Sequence, residues 1–185
     1  MAACSQLTTG RSVGACKGIG GIESFFVANS DNVTAVGTTG SAETLAINSI
    51  TAGATGVFYQ YPQVQETSSI TFTPTANVQN SSLFYEMIAT MQFANYDASL
   101  RYIAQTLGEN NLVIVAKLKS GEYVYLGESG GMDINGGSGQ SGQAAGDLNG
   151  FTLEFRGIQQ TPPKTLDAAF VASTGWTDLI NSTLA

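Results

Sequence analysis

The chain has 185 residues, of which 43% are hydrophobic and only 11% are charged, and its net charge at pH 7 is −7. This length predicts a single domain over residues 1–185 with its own hydrophobic core. The charged fraction lies well below the roughly 25% typical of globular proteins, so the surface is covered largely by means other than charge. Ser, Thr, Asn and Gln cover part of it, and neighbouring subunits could cover the rest. The acidic balance argues against a basic patch that grips phosphate backbones.

The sequence contains no histidine, which excludes Ser-His-Asp and Cys-His catalysis and histidine-bearing zinc sites. Cys4 and Cys16 lie in the N-terminal segment 1–20, where they can close a small disulfide loop or remain free thiols in a reducing compartment. No nucleophile and base, and no cluster of metal ligands, stand out in the sequence. We therefore expect no enzymatic activity, no cofactor and no metal site.

The N-terminal segment also lacks the apolar core of a signal peptide. No apolar run approaches the length that spans a membrane. These two features predict a protein that is made in a cytoplasm and does not insert into a membrane by itself.

Short runs rich in β-branched and aromatic residues recur along the chain and predict strands. In chain order these runs are 22–28, 45–50, 56–61, 68–74, 84–93, 112–118, 122–127 and 150–158. The tripeptide Lys119-Ser120-Gly121 between two of them predicts a hairpin turn. The fold class expected from this pattern is mainly β, an antiparallel β-sandwich or barrel.

One helix, near residues 97–107, interrupts the strands in the stretch NYDASLRYIAQTLGEN. Asn95 or Asp97 can accept hydrogen bonds from the free amides of its first turn, and Gly108 can close its last turn. Apolar residues recur at the spacing that places them on one helix face. They are Leu100, Ile103, Ala104 and Leu107. We expect this single flanking helix to pack against a sheet.

The two strands before the helix separate apolar from polar side chains, because successive strand residues point to opposite faces. In the second strand, one face carries Tyr85, Met87, Ala89, Met91 and Phe93. If the two strands pair, the opposite face is rich in hydroxyl and amide groups. That face is predicted to contain Thr67, Ser69, Thr71, Thr73, Glu86, Thr90 and Gln92. Two interpretations remain open, namely a sheet exposed to solvent on one side and a strand pair that lines a wet channel.

Residues 128–149, ESGGMDINGGSGQSGQAAGDLN, lack hydrophobic periodicity and predict a long glycine-rich loop. Long loops are usually functional or disordered. The first alternative is a loop that orders against a neighbouring subunit, with the contact made by Met132, Asp133, Ile134 and Asn135. The second is a loop that stays mobile on the outer surface. Near its end, Asp147 and Asn149 are expected to shape a turn. The C-terminal segment 160–185 has no role that the sequence assigns.

The order of these segments resembles a known family. The chain contains CKGIGGIESFFVANSDNVTAV, a long hairpin, the capped helix, the hairpin VAKLKSGEYVYLG and the closing segment AAGDLNGFTLEFRG. Together they resemble the major tail tube proteins of long-tailed bacteriophages, in particular those of Bacteroidetes-type phages. The resemblance covers roughly residues 14–160 and rests on order and spacing, with the closing segment as its most specific part. The C-terminal segment departs from it.

The resemblance implies a virion structural protein. Tail tube subunits are β-sandwiches flanked by a helix, and six of them pack into a ring whose inner strands join into one barrel. Rings stack into a tube that conducts DNA to the host cell. The implied partners are other copies of the chain, other tail proteins, and DNA that passes through the lumen without specific binding. The implied location is the virion tail, assembled in the host cytoplasm, and Glu86 would then form an acidic band in the lumen.

Other functions remain open from the sequence. Another phage structural protein, such as a tail terminator, a capsid decoration protein or a baseplate tube-like protein, can use the same sandwich. A non-viral β-sandwich module that binds glycans would share the glycine, threonine and asparagine content, but it would need an export route and an aromatic platform.

Overall fold

The computed structural model describes residues 19–40, 45–54, 57–144 and 146–181. Cys4 and Cys16 lie outside these ranges. The described residues form strands β1 to β12, helices α1 to α3 and one 3-10 turn at Ser30–Asn32. The strands are β1 (Ile22–Asn29), β2 (Val33–Thr39), β3 (Ala46–Ala52), β4 (Phe58–Pro62), β5 (Ser69–Asn77), β6 (Ser82–Ala94), β7 (Leu112–Leu118), β8 (Tyr123–Leu126), β9 (Asp133–Gln140), β10 (Gly150–Gln159), β11 (Lys164–Leu166) and β12 (Ile180–Asn181). The helices are α1 (Ala98–Glu109), α2 (Ala168–Val171) and α3 (Thr174–Thr177).

The strands form two sheets. The larger sheet has the order β12-β4-β1-β7-β8-β11-β3-β2, and the smaller sheet has the order β5-β6-β10-β9. Neighbouring strands are antiparallel except for β11 with β3 and β12 with β4, which pair in parallel. The expectation of a mainly β, antiparallel-rich sandwich with a flanking helix is confirmed.

The first core lies between the two sheets. Met87, Ala89 and Met91 of β6 are fully buried and pack against the larger sheet, including Phe25 of β1 and Ile114 of β7. These three β6 residues belong to the apolar face that the alternation predicts. The smaller sheet is therefore covered by the larger sheet on one side.

The second core lies on the opposite face of the larger sheet and is centred on Trp176. This indole is 2% exposed, and its ring centroid lies 5.5 Å from those of Phe26 and Phe58 and 5.9 Å from that of Tyr123. Phe170 of α2 contacts it from the same C-terminal segment at 6.1 Å. The C-terminal segment is thus part of the fold, since α2 and α3 close this side of the larger sheet.

Helix α1 begins and packs as its sequence predicts. The Asp97 carboxylate accepts a hydrogen bond from the Leu100 amide at 2.6 Å, which satisfies a free donor of the first turn. Leu100 and Leu107 are buried, and Ile103 and Ala104 are half-buried against the first core.

The end of α1 differs from the expectation. Gly108 lies inside the helix, which continues to Glu109 and ends at Asn110 with an extended backbone. The Asn110 side-chain amide donates to the Thr106 carbonyl at 2.6 Å, so that carbonyl is satisfied without a left-handed glycine. A Cβ at Gly108 would lie 3.4 Å from Cδ1 of Ile134, which places this glycine at the contact between α1 and β9.

Replacing Leu107 with alanine should lower the free energy of unfolding by about 2 kcal/mol, near the lower end for a buried leucine. The reason is that Leu107 is buried in the first core but lies near the end of α1, where neighbouring side chains can move into the space. Tyr102→Ala on the same helix is the control, because Tyr102 is 71% exposed. Urea unfolding of both variants measures the difference, and equal losses would contradict the assigned helix face.

Both predicted hairpins form. Between β7 and β8, Gly121 has φ +92° and donates to the Leu118 carbonyl at 3.0 Å. Strands β5 and β6 pair in a register that joins Ser69 to Thr90 and Thr73 to Glu86. Residues 71–83, which include the tip of this second hairpin, are all exposed.

The prediction of a loop over residues 128–149 is wrong for residues 133–140, which form β9 and pair with β10. The glycines serve close packing here. A Cβ at Gly137 would lie 2.7 Å from the Thr152 carbonyl oxygen, and one at Gly139 would lie 2.6 Å from Cε1 of Phe151. Such contacts are closer than a side chain tolerates, so glycine lets β9 and β10 approach.

Two further residues of segment 128–149, Met132 and Asp147, can be compared with their predicted roles. Met132, expected in an inter-subunit contact, is fully buried in the first core, and its backbone exchanges hydrogen bonds of 2.7 and 2.9 Å with Leu112. That expectation is wrong for Met132. Asp147 shapes a turn as predicted, because its carboxylate accepts the amides of Ala144 at 2.8 Å and Gln143 at 2.9 Å. These two hydrogen bonds lower the pKa of Asp147.

Candidate functional site

The side of the smaller sheet that faces away from the first core is here called the polar face. Paired residues in a sheet share a face, so the strand registers identify its members. Those on β5 and β6 are Ser69, Thr71, Thr73, Thr75, Asn77, Ser82, Phe84, Glu86, Ile88, Thr90, Gln92 and Ala94. Those on β9 and β10 are Asp133, Ser138, Gln140, Thr152, Glu154, Arg156 and Ile158.

Six of the seven side chains predicted to share a polar side do so, namely Ser69, Thr71, Thr73, Glu86, Thr90 and Gln92. Thr67 does not, because it lies before β5 and its hydroxyl donates to the Val64 carbonyl at 2.8 Å. That this face borders a channel stays a prediction. Of the residues proposed for an inter-subunit contact, Asp133, Ile134 and Asn135 are exposed on β9.

Ion pairing on the polar face differs from the expectation of an isolated acidic band at Glu86. The Nε of Arg156 on β10 donates to the Glu86 carboxylate on the neighbouring strand. Glu154 accepts a hydrogen bond of 2.5 Å from the side-chain amide of Asn135, and Asp133 is paired in register with Arg156. The three carboxylates and one guanidinium among these residues give the polar face a net charge of −2. Glu86 is thus neutralised locally, and Glu154 and Asp133 carry the excess negative charge.

Sequence reasoning missed the part of the polar face that β9 and β10 contribute. The signal was available in β10, where Thr152, Glu154 and Arg156 alternate with the buried Leu153 and Phe155. It was not available in β9, because that run of glycine and serine has no apolar alternation.

The smaller sheet has two free edges within the described part of the chain, β5 and β9. Each of them has one local interruption. Pro74 lacks an amide donor, and the register of β9 with β10 is irregular next to Asn135. The longer uninterrupted stretches, 69–73 of β5 and 136–140 of β9, are equal in length and carry no charge. Unpaired, uncharged strand edges of this kind are templates for pairing with another chain.

The smaller sheet is also staggered. Its registers place Ser69, Thr90, Glu154 and Gly136 in one row across the four strands. From that row, β5 extends only toward the hairpin tip, whereas residues 136–140 of β9 extend toward the opposite end. The sheet therefore has the outline of a parallelogram.

A separate cleft of about 760 Å³ lies between α1 and the strands β1 and β4. Its lining includes Tyr59, Tyr61, Tyr102 and Ile103, and contains no Asp, Glu, Lys or Arg. Burial raises the pKa of Tyr61, and the neighbouring Tyr59 adds to that effect. The cleft thus offers hydroxyls and apolar surface but no group that ionises near neutral pH.

Among the described residues, no group of three or more Cys, Asp or Glu side chains is placed to hold a metal ion. No helix in the described ranges is long and apolar enough to cross a membrane. No protein-family model, no curated protein and no solved structure matches this chain. The function is therefore inferred from the polar face and the two free edges.

Proposed function

We propose that this chain is a virion structural protein, the major tail tube subunit of a long-tailed bacteriophage. Six copies form a ring, and the rings stack into a tube that conducts DNA to the host cell. The observation that carries the proposal is the smaller sheet, which combines a polar face with two free edges that each contain an uncharged stretch of five residues, 69–73 and 136–140. Other copies of the chain and other tail proteins are the partners, and the tail is assembled in the host cytoplasm.

The two edges suit ring closure because they run in opposite directions. Strand β5 is antiparallel to β6, β6 to β10, and β10 to β9. When β9 of one copy pairs with β5 of the next, the antiparallel alternation continues around the ring. The contact joins two different surfaces of the chain, so each copy can bind one neighbour on each side. If the rotation between neighbouring copies divides a full circle evenly, the copies close into a ring. Closure also removes every free edge of the smaller sheet.

The size and orientation of such a ring agree with a channel for duplex DNA. Six four-stranded sheets with strands about 4.8 Å apart enclose a barrel roughly 37 Å across, and strand tilt widens it. The larger sheet covers the core side of the smaller sheet and is the bulkier part of the subunit. More space exists outside a ring than inside it, so this bulk lies outside and the polar face lines the lumen.

The polar face suits the passage of DNA without binding. Tight non-specific binding requires several free Lys or Arg side chains that release counterions from the phosphates. Among the polar-face residues named above, Arg156 is the one cation, and the Glu86 carboxylate neutralises it. Hydroxyl and amide groups with a net charge of −2 in each copy keep phosphates mobile along the wall.

Disulfide cross-linking tests the edge pairing. Pairing keeps core-facing and polar side chains on their own sides only if the copies are offset by an even number of residues. The offset is counted from the row that joins Ser69 to Gly136, so an offset of four pairs 69–73 of one copy with 136–140 of the next along their whole length. An offset of six still pairs 71–73 with 138–140. With four, Thr71 lies opposite Ser138 of the next copy, and with six, Thr73 does.

The double variants Thr71→Cys/Ser138→Cys and Thr73→Cys/Ser138→Cys are made in a Cys4→Ser/Cys16→Ser background. Oxidation should give one of them a ladder of covalent multimers on a denaturing gel, whereas each single-cysteine variant stops at a dimer. A bond within one copy is excluded, because β5 and β9 lie about 14 Å apart across two strands, beyond disulfide reach.

Electron microscopy of the same samples should show rings and stacked hollow rods. Rings that never stack would favour a tail terminator or another phage ring protein. A protein that stays monomeric at high concentration, with no cross-linked ladder from either pair, would contradict the proposed function.

A further inference from the structure

A groove of about 430 Å³ runs along the core-facing side of β9 at the free edge. Its apolar lining comes from Ile134, Phe151 and Leu153. Gly137 and Gly139 lie on this side of β9, and the close approach to Thr152 and Phe151 leaves no room for a side chain on either. The Ile134 side chain faces the core side, yet Ile134 is 40% exposed. The edge therefore presents apolar surface that no side chain of β9 covers.

The opposite edge of the smaller sheet carries a large apolar side chain that is more than half exposed, Phe72. Phe72 of β5 pairs in register with Met87, which faces the first core, so Phe72 points to the same side. Its neighbour on that side, Ile70, packs against the first core. Phe72 is instead 53% exposed, which leaves much of a large aromatic ring in water.

The stagger of the sheet brings these two features together. An offset of four residues between copies places Phe72 opposite Gly137 of the next copy, and an offset of six places it opposite Gly139. A barrel whose shear equals its strand number, with a tilt of about 36°, corresponds to four residues for four strands. In the first register the phenyl ring lies beside Gly137 and the groove. In the second it lies beside Gly139, against the Phe151 ring that already approaches this glycine.

We propose that Phe72 of each copy inserts into this groove of the next copy and fixes the register of the ring. The inference rests on the proposed function, since it requires β5 and β9 of neighbouring copies to pair. An aromatic side chain over a cross-strand glycine stabilises sheet edges, because the ring covers backbone and apolar atoms that the glycine leaves open. Phe151 at the groove adds an aromatic neighbour. No charge lies in 69–73 or 136–140 to oppose the contact.

The test compares Phe72→Ala with Leu83→Ala. Both side chains are 53% exposed on the same hairpin, but Leu83 lies outside the stretch that pairs with β9. We expect Phe72→Ala to raise the protein concentration at half-assembly of the ring by about tenfold or more, as expected for losing a buried aromatic contact. Leu83→Ala should change it less than about twofold. Sedimentation velocity of the full chain over a concentration series measures both.

The outcomes distinguish failure of the proposed ring from failure of the proposed role of Phe72. If the unmodified chain forms no rings, the proposed function fails and this inference fails with it. If it forms rings and Phe72→Ala assembles at the same concentration, the ring stands and the role of Phe72 is overturned. The same conclusion follows if Phe72→Ala and Leu83→Ala are equally impaired. Phe72→Leu, which keeps an apolar side chain of similar reach, should recover part of the loss. As a control, thermal unfolding of Phe72→Ala and Leu83→Ala is measured at concentrations at which they are monomeric. Midpoints equal to that of the unmodified monomer show that the effect is on assembly.

Discussion

Replacing Trp176 with alanine should lower the free energy of unfolding by about 3–5 kcal/mol, a large part of the 5–15 kcal/mol that stabilises a typical domain. Trp176 is 2% exposed and contacts aromatic side chains from three strand segments and from α2. Its removal leaves a cavity that this ring of aromatic groups cannot close, because each neighbour is held by its own strand or helix. Denaturant unfolding followed by circular dichroism measures the change.

Trp176→Phe is the matched variant for this prediction. It keeps an aromatic ring in the second core and should lose less than Trp176→Ala, because a smaller cavity remains. Tyr102→Ala removes an exposed aromatic side chain and serves as the surface control. A loss below about 1 kcal/mol for Trp176→Ala would mean that α2 and α3 contribute little to the fold. Assembly of the stable variants should be unaffected, because the second core lies away from both free edges.

Helix α1, strand β7 and the hairpin of β7 and β8 could be predicted because their signals lie within the segments themselves. Helix α1 has its capping carboxylate at Asp97 and its buried leucines at helical spacing, and both are where the sequence places them. Strand β7 is apolar from Leu112 to Ala116, and this part is buried on both faces between the two cores. The hairpin of β7 and β8 follows from Gly121, which takes the positive φ that its turn requires.

The elements that were missed depend on residues distant in sequence. Strand β9 consists mostly of glycine and polar residues, and it becomes a strand because β10 offers it a backbone partner. Gly108 was expected to end α1, but Ile134 packs over it and Asn110 caps the helix. The role of Trp176 could not be read locally either, because its neighbours Phe26, Phe58 and Tyr123 come from three distant segments.

The polar face was likewise predictable from local alternation in one part and not in another. Alternation along β5 and β6 is sufficient to place Ser69, Thr71 and Thr73 on one side with Glu86. The partner of Glu86 could not be predicted, because Arg156 lies seventy residues further along the chain and meets it only through the pairing of β6 with β10. The site is therefore better described as a charge-balanced face with an acidic excess than as an acidic band at one residue.

Glu86→Lys tests where the polar face lies in the ring. The substitution removes the partner of Arg156 and places two cations side by side, which raises the net charge of the polar face from −2 to 0 in each copy. Six copies would then place a local row of cations on the lumen wall, where phosphates can bind. Folding should change little, since the pair is partly exposed and such pairs contribute about 0–1 kcal/mol. The variant rings should retain linear duplex DNA at low salt, with an affinity that falls steeply as salt increases because counterions are released.

The topology of the DNA distinguishes a lumen from an outer wall. A linear duplex can thread a preformed ring, whereas a closed circular duplex cannot, so Glu86→Lys rings should retain linear DNA and release circular DNA. Glu122→Lys, at an exposed position beside the turn of β7 and β8, makes the same change of charge outside the polar face. Any retention by that variant should be equal for the two forms of DNA. If Glu86→Lys rings hold circular DNA as well as linear DNA, the polar face lies on the outer wall, and the proposed orientation of the subunit is wrong even though the ring forms.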